Sequence, residues 1–169
     1  MNKKILGEHI NPEQLKGAMR AWITGVAIVT GIHNNHMHGM TANSFNSIAL
    51  VPPTVLVALR RQTRTQKLVQ SGGVFAVSIL SRAQLDLAQR FAGQVDLNQA
   101  RFDGVETFAM ITGAPLIKGA IAFFDCLVVH TFDVGGTSVF LGEVLAAKNL
   151  RGDQDPLLYF NREWRKLEK

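Results

Sequence analysis

The chain has 169 residues, of which 47% are hydrophobic and 18% charged, and a net charge of +5. That length suits a single domain spanning 1–169 with a substantial core, and the composition excludes a disordered chain. No apolar run approaches the ~20 residues of a membrane span, no apolar segment follows the lysines at positions 3 and 4, and the lone Cys126 rules out an internal disulfide, so a cytoplasmic protein is expected.

Asn11-Pro12-Glu13-Gln14 supplies an N-cap residue, proline at the first helical position and an amide three residues after the cap. A helix is predicted from about Pro12 to Trp22, with Leu15, Met19 and Trp22 on one face. Gly25 to Ile32 is a β-branched run, Asn34-Asn35 is a two-residue hairpin turn, and a returning strand carries His36 to Ser44. Thr54 to Arg60 is nearly all apolar, as expected of a strand buried on both faces. Thr63-Arg64-Thr65-Gln66 opens a short helix ending at Ser71-Gly72-Gly73, and Val74 to Leu80 is a strand. Ser81-Arg82-Ala83-Gln84 reads as a capping box for a helix to Phe91, closed by Gly93. Residues 94–106 read as loop. Two long strands, Ala120 to Val134 and Ser138 to Ala147, meet at a Gly135-Gly136 hairpin, and Gly152 to Pro156 is a polar loop before Leu157-Leu158-Tyr159-Phe160. About seven strands against three short helices predict an antiparallel sheet closed into a barrel or sandwich.

Within this frame His38-Gly39-Met40-Thr41-Ala42-Asn43-Ser44-Phe45 stands out. Thr41, Ser44 and Ser47 bring hydroxyls, and Asn43 and Asn46 bring amides, where a packing strand would carry apolar groups. The segment reads as an edge that a flat polar ligand can approach closely. Thr63-Arg64-Thr65 at a helix start reads either as a simple N-cap or as a phosphate site. The basic charge fits an ordinary surface or attraction of phosphate-bearing ligands. Only Arg162-Glu163-Trp164-Arg165-Lys166 approaches the clustered cations and aromatics of a nucleic-acid footprint, so small anions are the expected partners, not nucleic acid or membrane.

Other chemistries find little support. There is no Gly-x-Gly-x-x-Gly after a strand, no P-loop ending at Lys118-Gly119 and no Gly-x-Ser-x-Gly elbow. Cys126 sits mid-strand among apolar residues and reads as an inert thiol. His33, His36 and His38 could approach one another across the Asn34-Asn35 turn, but no nearby Cys, Asp or Glu completes a metal set. Asp125 and Glu143 could pair as acid and base, yet read as surface or paired side chains.

The order of these pieces resembles the flavin reductase family, the small reductases of two-component flavin monooxygenases. The likeness runs through Gly25 to Thr30, His38 to Phe45, Pro52-Pro53, Thr63-Arg64-Thr65, Phe75-Ala76-Val77, Arg90-Phe91-Ala92-Gly93, Thr112-Gly113-Ala114-Pro115, Phe140 to Val144 and Pro156 to Phe160. It covers roughly residues 15 to 167. The resemblance implies a mostly β fold, a split barrel of Greek-key, FMN-binding type with a few short peripheral helices, and a homodimer. It implies FMN or FAD as cofactor, NADH or NADPH as co-substrate, and a separate oxygenase served by diffusing reduced flavin. It places the flavin against Met40, Thr41, Ala42, Asn43 and Ser44, the strand end Ala58-Leu59-Arg60, Thr63-Arg64-Thr65 with the phosphate, and Arg90-Phe91-Ala92. Hydride transfer is then positioned by binding residues, with no catalytic side chain. Thr137 and Tyr159 are the expected nicotinamide contacts, but the family often carries Gly-Asp-His where this chain has Gly135-Gly136-Thr137. Threonine can neither stack nor carry charge as histidine does. An alternative therefore stands beside the reductase: a flavin-binding electron-transfer protein of the same fold, not reduced directly by NAD(P)H.

Overall fold

Tight turns and alternating side chains organise most of the chain. The computed structural model describes residues 10–94, 100–150, 152 and 154–167. Its first half runs α1 (Pro12–Met19), β1 (Thr24–Gly25), β2 (Ala27–His33), β3 (His36–Ala42), β4 (Asn46–Leu50), β5 (Pro53–Arg60), α2 (Arg64–Gly72), β6 (Val74–Ile79), a 3-10 turn at Arg82–Gln84, and α3 (Leu85–Ala92). The second half is all strand: β7 (Thr107–Phe108), β8 (Leu116–Ile117), β9 (Ala122–Val134), β10 (Thr137–Asn149), β11 (Leu158–Phe160) and β12 (Glu163–Arg165).

Seven strands form one antiparallel sheet in the order β3-β2-β6-β9-β10-β5-β4. The edge strands β3 and β4 share no ladder, yet only Asn43, Ser44 and Phe45 join them. Such a link spans at most about 14 Å, so the end of β3 and the start of β4 lie close together at this corner. The core agrees: Val29 of β2, Val57 and Leu59 of β5, Phe75 and Val77 of β6, Phe140 of β10 and Val69 of α2 pack in one cluster. Strands far apart in the sheet order can touch in this way only around a curved sheet. Alternation sends Ile28 and Ala76 to the other face, where they meet Ala88 and Phe91 of α3 and Leu116 and Ile117 of β8.

The local signals explain the turns. Asn34 and Asn35 have φ of 48° and 62°, the left-handed pair of a type I′ hairpin, and His33 faces His36 across it. Asn11 and Gln14 exchange the two bonds of a capping box, at 2.9 Å each. Gly93 closes α3 with φ of 72°.

Several expectations are corrected. Helix α1 stops at Met19, and Leu15, Met19 and Trp22 remain 53%, 55% and 65% exposed, so its apolar face covers no core. The returning strand β3 ends at Ala42, leaving Asn43 and Ser44 in the link. Strand β5 is not buried on both faces: Val55, Val57 and Leu59 are buried while Leu56 and Ala58 are only partly covered. Strands β1, β4, β7, β8 and β12 had no counterpart in the sequence reading. Of the expected polar segments, residues 95–99, Arg151 and Asp153 lie outside the described residues, and Ala100–Val105 forms consecutive turns.

Helix α2 lies unusually close to β2. A Cβ on Gly72 would stand 2.1 Å from the Ile32 carbonyl oxygen, and one on Gly31 would stand 2.8 Å from Val69 Cγ2. This contact fixes where the N-terminus of α2 points.

Candidate functional site

Edge strand β3, the start of α2, the end of α3, the Ala100–Asp103 turn and the β11–β12 hairpin enclose a cleft of about 810 Å³. That is the size of a small-molecule site. Met40, Thr41, Ala42 and Asn43 form its floor along β3, and Arg60, Thr63, Arg64 and Thr65 line one end. Phe91, Ala92 and Tyr159 complete the sequence-derived residues that the cleft gathers.

The hydroxyls that drew attention in the sequence are mostly engaged by the fold. Thr41 Oγ1 donates to the Ala88 carbonyl at 2.6 Å, tying α3 to β3. Ser44 Oγ donates to the Ala58 carbonyl at 2.8 Å and accepts the Ala58 N–H at 3.2 Å. Ser44 thus imitates a ladder residue against β5 and stands outside the cleft lining. What the floor offers a ligand is the outer backbone edge of β3 and the exposed Asn43 amide.

One end of the cleft is strongly cationic. Thr63 caps α2, accepting from Gln66 N–H at 3.3 Å and donating to the Arg60 carbonyl at 2.9 Å. The free N–H groups and dipole of the first turn favour an anion there. Arg60, Arg64 and Arg101 all line the cleft, and among the described residues no ion pair includes any of them. The neighbouring Arg61 differs, turning away to lie 3.6 Å from Asp133.

His38 stands among these arginines with Nδ1 2.8 Å from Thr65 Oγ1. Burial first, then the charges of Arg101 and Arg64, lower its pKa from 6.5 to about 4, so the ring is neutral at pH 7 and adds no charge. Between about 4 and 6.5 the unfolded chain binds a proton that the folded chain refuses. Stability therefore falls as pH falls through that window and levels off below it. Unfolding titrations across these pH values are expected to show that slope in the wild type and a shallower one in His38→Gln; equal slopes would remove His38 as its source.

Two aromatic pairs shape the rest. Phe91 and Phe102 meet edge to face with centroids 5.1 Å apart, as do Tyr159 and Trp164, also at 5.1 Å. The β11–β12 hairpin turns through Asn161 and Arg162 at φ of 49° and 64°, which swings Trp164 back onto Tyr159.

Other residues marked in the sequence lie elsewhere. Leu59 is fully buried in the core, and Ala58 is held by Ser44. Arg90 points not into the cleft but at the Ala100–Asp103 turn. Thr137 is the cross-strand partner of Arg60 and so shares its face, but it is not among the residues that line the cleft. Ala114 is buried, and the Pro115 carbonyl accepts from Thr30 Oγ1 at 2.6 Å, away from the lining. Asp125 is buried and accepts from Ile111 and Thr112 N–H at 2.6 and 2.9 Å and from the Thr112 hydroxyl, which makes it an anchor for that loop. Burial, then the Asp125 charge, pushes the Cys126 thiol up to about 12. Among the described residues no three metal-binding side chains converge.

The sequence marks neither Arg101 nor Phe102, places Trp164 only in the cationic and aromatic segment near the end of the chain, and gives His38 only to the polar edge and the histidine hairpin, yet all four line the cleft. A signal was present: Arg101-Phe102 repeats the Arg90-Phe91 dipeptide in a segment read as plain loop.

With this geometry in view, the chain can be compared with known proteins. The pattern of the flavin reductase like domain matches residues 19–168. The FMN reductase (NADH) RutF of Stutzerimonas stutzeri is 34% identical over 155 residues, covering 92% of this chain and 88% of that protein. The reductase subunit HsaB of a flavin-dependent monooxygenase from Mycobacterium tuberculosis is 26% identical over 164 residues, covering 96% and 86%. Among solved structures, the NADH:FAD oxidoreductase SgcE6 of Streptomyces globisporus, in complex with NAD and FAD fragments, superposes with a TM-score of 0.84 at 32% identity, covering 96% of this chain and 98% of that one.

Proposed function

The chain belongs to the flavin reductase like domain family, and from that premise we propose that it is an NAD(P)H-dependent flavin reductase that supplies reduced flavin to a separate oxygenase. Relatives named for FMN and for FAD, both with NADH, support either flavin as the substrate. The hydride and its electron pair pass from nicotinamide C4 to flavin N5, and a proton from solvent completes the reduced flavin.

The observation that carries this reading is the composition of the cleft. Guanidiniums that join no ion pair among the described residues flank a helix N-terminus at one end, and a backbone edge with aromatic walls forms the rest. That set fits a flat heteroaromatic ring bearing a phosphate. Arg64, Thr63 and Thr65 would hold the phosphate, with Arg60 beside them. Met40, Thr41, Ala42 and Asn43 would present backbone and amide groups to the polar edge of the ring, and Phe91 and Ala92 would border it. Ser44, Ala58, Leu59 and Arg90 would shape the site from behind. Tyr159 and Thr137 are the proposed nicotinamide contacts. The protein's contribution is to stack two rings at a set distance and exclude misaligned encounters.

The curled sheet is read as a split barrel of Greek-key type, in a single domain over 1–169. A homodimer is proposed because exposed apolar side chains cluster on and after α1, at Leu15, Met19, Trp22 and Ile23, and again at Leu50 and Val51, which are 86% and 93% exposed. No helix among the described residues is long and apolar enough to cross a membrane, and with its reduced, buried Cys126 the protein is assigned to the cytoplasm.

Mixing the purified protein with FMN or FAD and NADH under air is expected to consume NADH absorbance catalytically. No turnover with either flavin and either nicotinamide would overturn the reductase. Tight flavin binding without turnover would instead support the electron-transfer reading, to which the altered Gly135-Gly136-Thr137 hairpin lends weight.

A further inference from the structure

Two Arg-Phe dipeptides, Arg90-Phe91 and Arg101-Phe102, meet at one wall of the cleft, and their arginines act differently. A single nitrogen of Arg90, Nη2, donates to the carbonyls of Ala100 and Asp103 at 2.7 and 2.8 Å. The Asp103 carboxylate closes the same turn by accepting the Ala100 N–H at 3.0 Å. Phe102 rests edge-on against the fully buried Phe91. The turn is therefore fixed to α3 by charge-assisted bonds and by packing.

That turn carries Arg101 across the cleft to β3, where its Nη1 donates to the Gly39 carbonyl at 2.9 Å. That acceptor is neutral, among the described residues no carboxylate pairs with Arg101, and the Arg64 charge on the facing helix start acts on it. Burial, then Arg64, lowers the pKa of the Arg101 guanidinium. Two like charges drawn together in a half-buried cleft are unfavourable by themselves, and His38, kept neutral near both, offers no relief. An anion placed between them removes the repulsion and gains paired, directional hydrogen bonds.

We infer that Arg101 is the residue that selects phosphorylated flavins over riboflavin, and that Arg90 is a positioning residue that holds Arg101 at the cationic end of the cleft. The inference rests on the flavin reading above. Riboflavin has the same ring system but ends in a neutral hydroxyl, so it gains nothing from the guanidinium pair. The phosphate ester of FMN and the nearer phosphate of FAD both gain from it.

Equilibrium binding of FMN and of riboflavin, followed by quenching of flavin fluorescence, tests this directly. Arg101→Ala is expected to reduce the preference for FMN over riboflavin about tenfold or more. Arg90→Ala should shift the preference in the same direction, and the double variant should lose little beyond Arg101→Ala, because both act through one guanidinium. Arg90→Lys should recover most of the loss, since one ammonium nitrogen can meet the two carbonyls that one Arg90 nitrogen meets now. A merely destabilised protein would lose both flavins alike. A wild-type preference retained in Arg101→Ala, or in Arg101→Gln should the alanine variant not fold, overturns the inference. Failure of the reductase reading shows separately, as a wild type that binds FMN but does not oxidise NADH; a wild type that binds neither flavin overturns both.

Discussion

Ser44→Leu is expected to lower the unfolding free energy by about 2–4 kcal/mol and to weaken flavin binding about tenfold or more, although Ser44 does not line the cleft. Its hydroxyl serves both the carbonyl and the N–H of Ala58, tying the short link between β3 and β4 to β5 as a ladder residue would. Leucine leaves both Ala58 groups without that partner and adds bulk in a three-residue link that has no slack. The adjacent Asn43, which lines the cleft, moves with it. Ser44→Ala removes the two bonds without the bulk and should cost about 1–2 kcal/mol. For a chain of this length 1 kcal/mol corresponds to roughly 2–4 °C in Tm, so thermal unfolding separates the variants, and FMN titration reads the site. A leucine variant with wild-type Tm and affinity would mean that the Ser44–Ala58 exchange contributes nothing to closing this corner.

The same residue shows how far the sequence could be read. The interruption of an apolar chain by Thr41, Asn43 and Ser44 reads as a binding edge, and in the structure Thr41 and Asn43 line the cleft while Ser44 does not. It did not tell which hydroxyls face a ligand, because that depends on α3 and β5, distant in sequence, arriving at 2.6 and 2.8 Å. Turns fixed by local chemistry, such as Asn34-Asn35 and Gly135-Gly136, were legible because positive φ has few suppliers. The β11–β12 hairpin was not, because Arg162 is an unusual residue for the left-handed position it occupies. Strand β4 was missed for a different reason: with Asn46, Ser47, Ile48 and Leu50 exposed, it lacks the alternation that signals a half-buried strand. Arg101 and Phe102 were missed because their place in the site is set by Arg90, Gly39 and Phe91, contacts that no local pattern encodes.

Gly72→Ala tests the other support of the site, the seat of α2. Its new Cβ would meet the Ile32 carbonyl oxygen at 2.1 Å, and the obstacle is backbone, which cannot rotate aside as a side chain can. Either α2 lifts from β2 or β2 bends, and Gly31, which needs a similarly close approach to Val69, ties the two movements together. We expect a loss of about 3 kcal/mol or more, roughly 6–12 °C in Tm. The helix start carries Thr63, Arg64 and Thr65, and Thr65 reaches His38 from it, so FMN affinity should fall as well even in folded protein at low temperature. The next residue supplies the control. Gly73 has φ of 67° with nothing within 4 Å of its would-be Cβ, so its constraint is conformational, not steric. Asparagine tolerates that conformation, and Gly73→Asn should cost about 1 kcal/mol or less with FMN affinity unchanged. Two adjacent glycines would then differ several-fold in cost for separate physical reasons. A Gly72→Ala variant as mild as Gly73→Asn would show that α2 can move off β2 freely, and that the cationic end of the cleft does not depend on this contact.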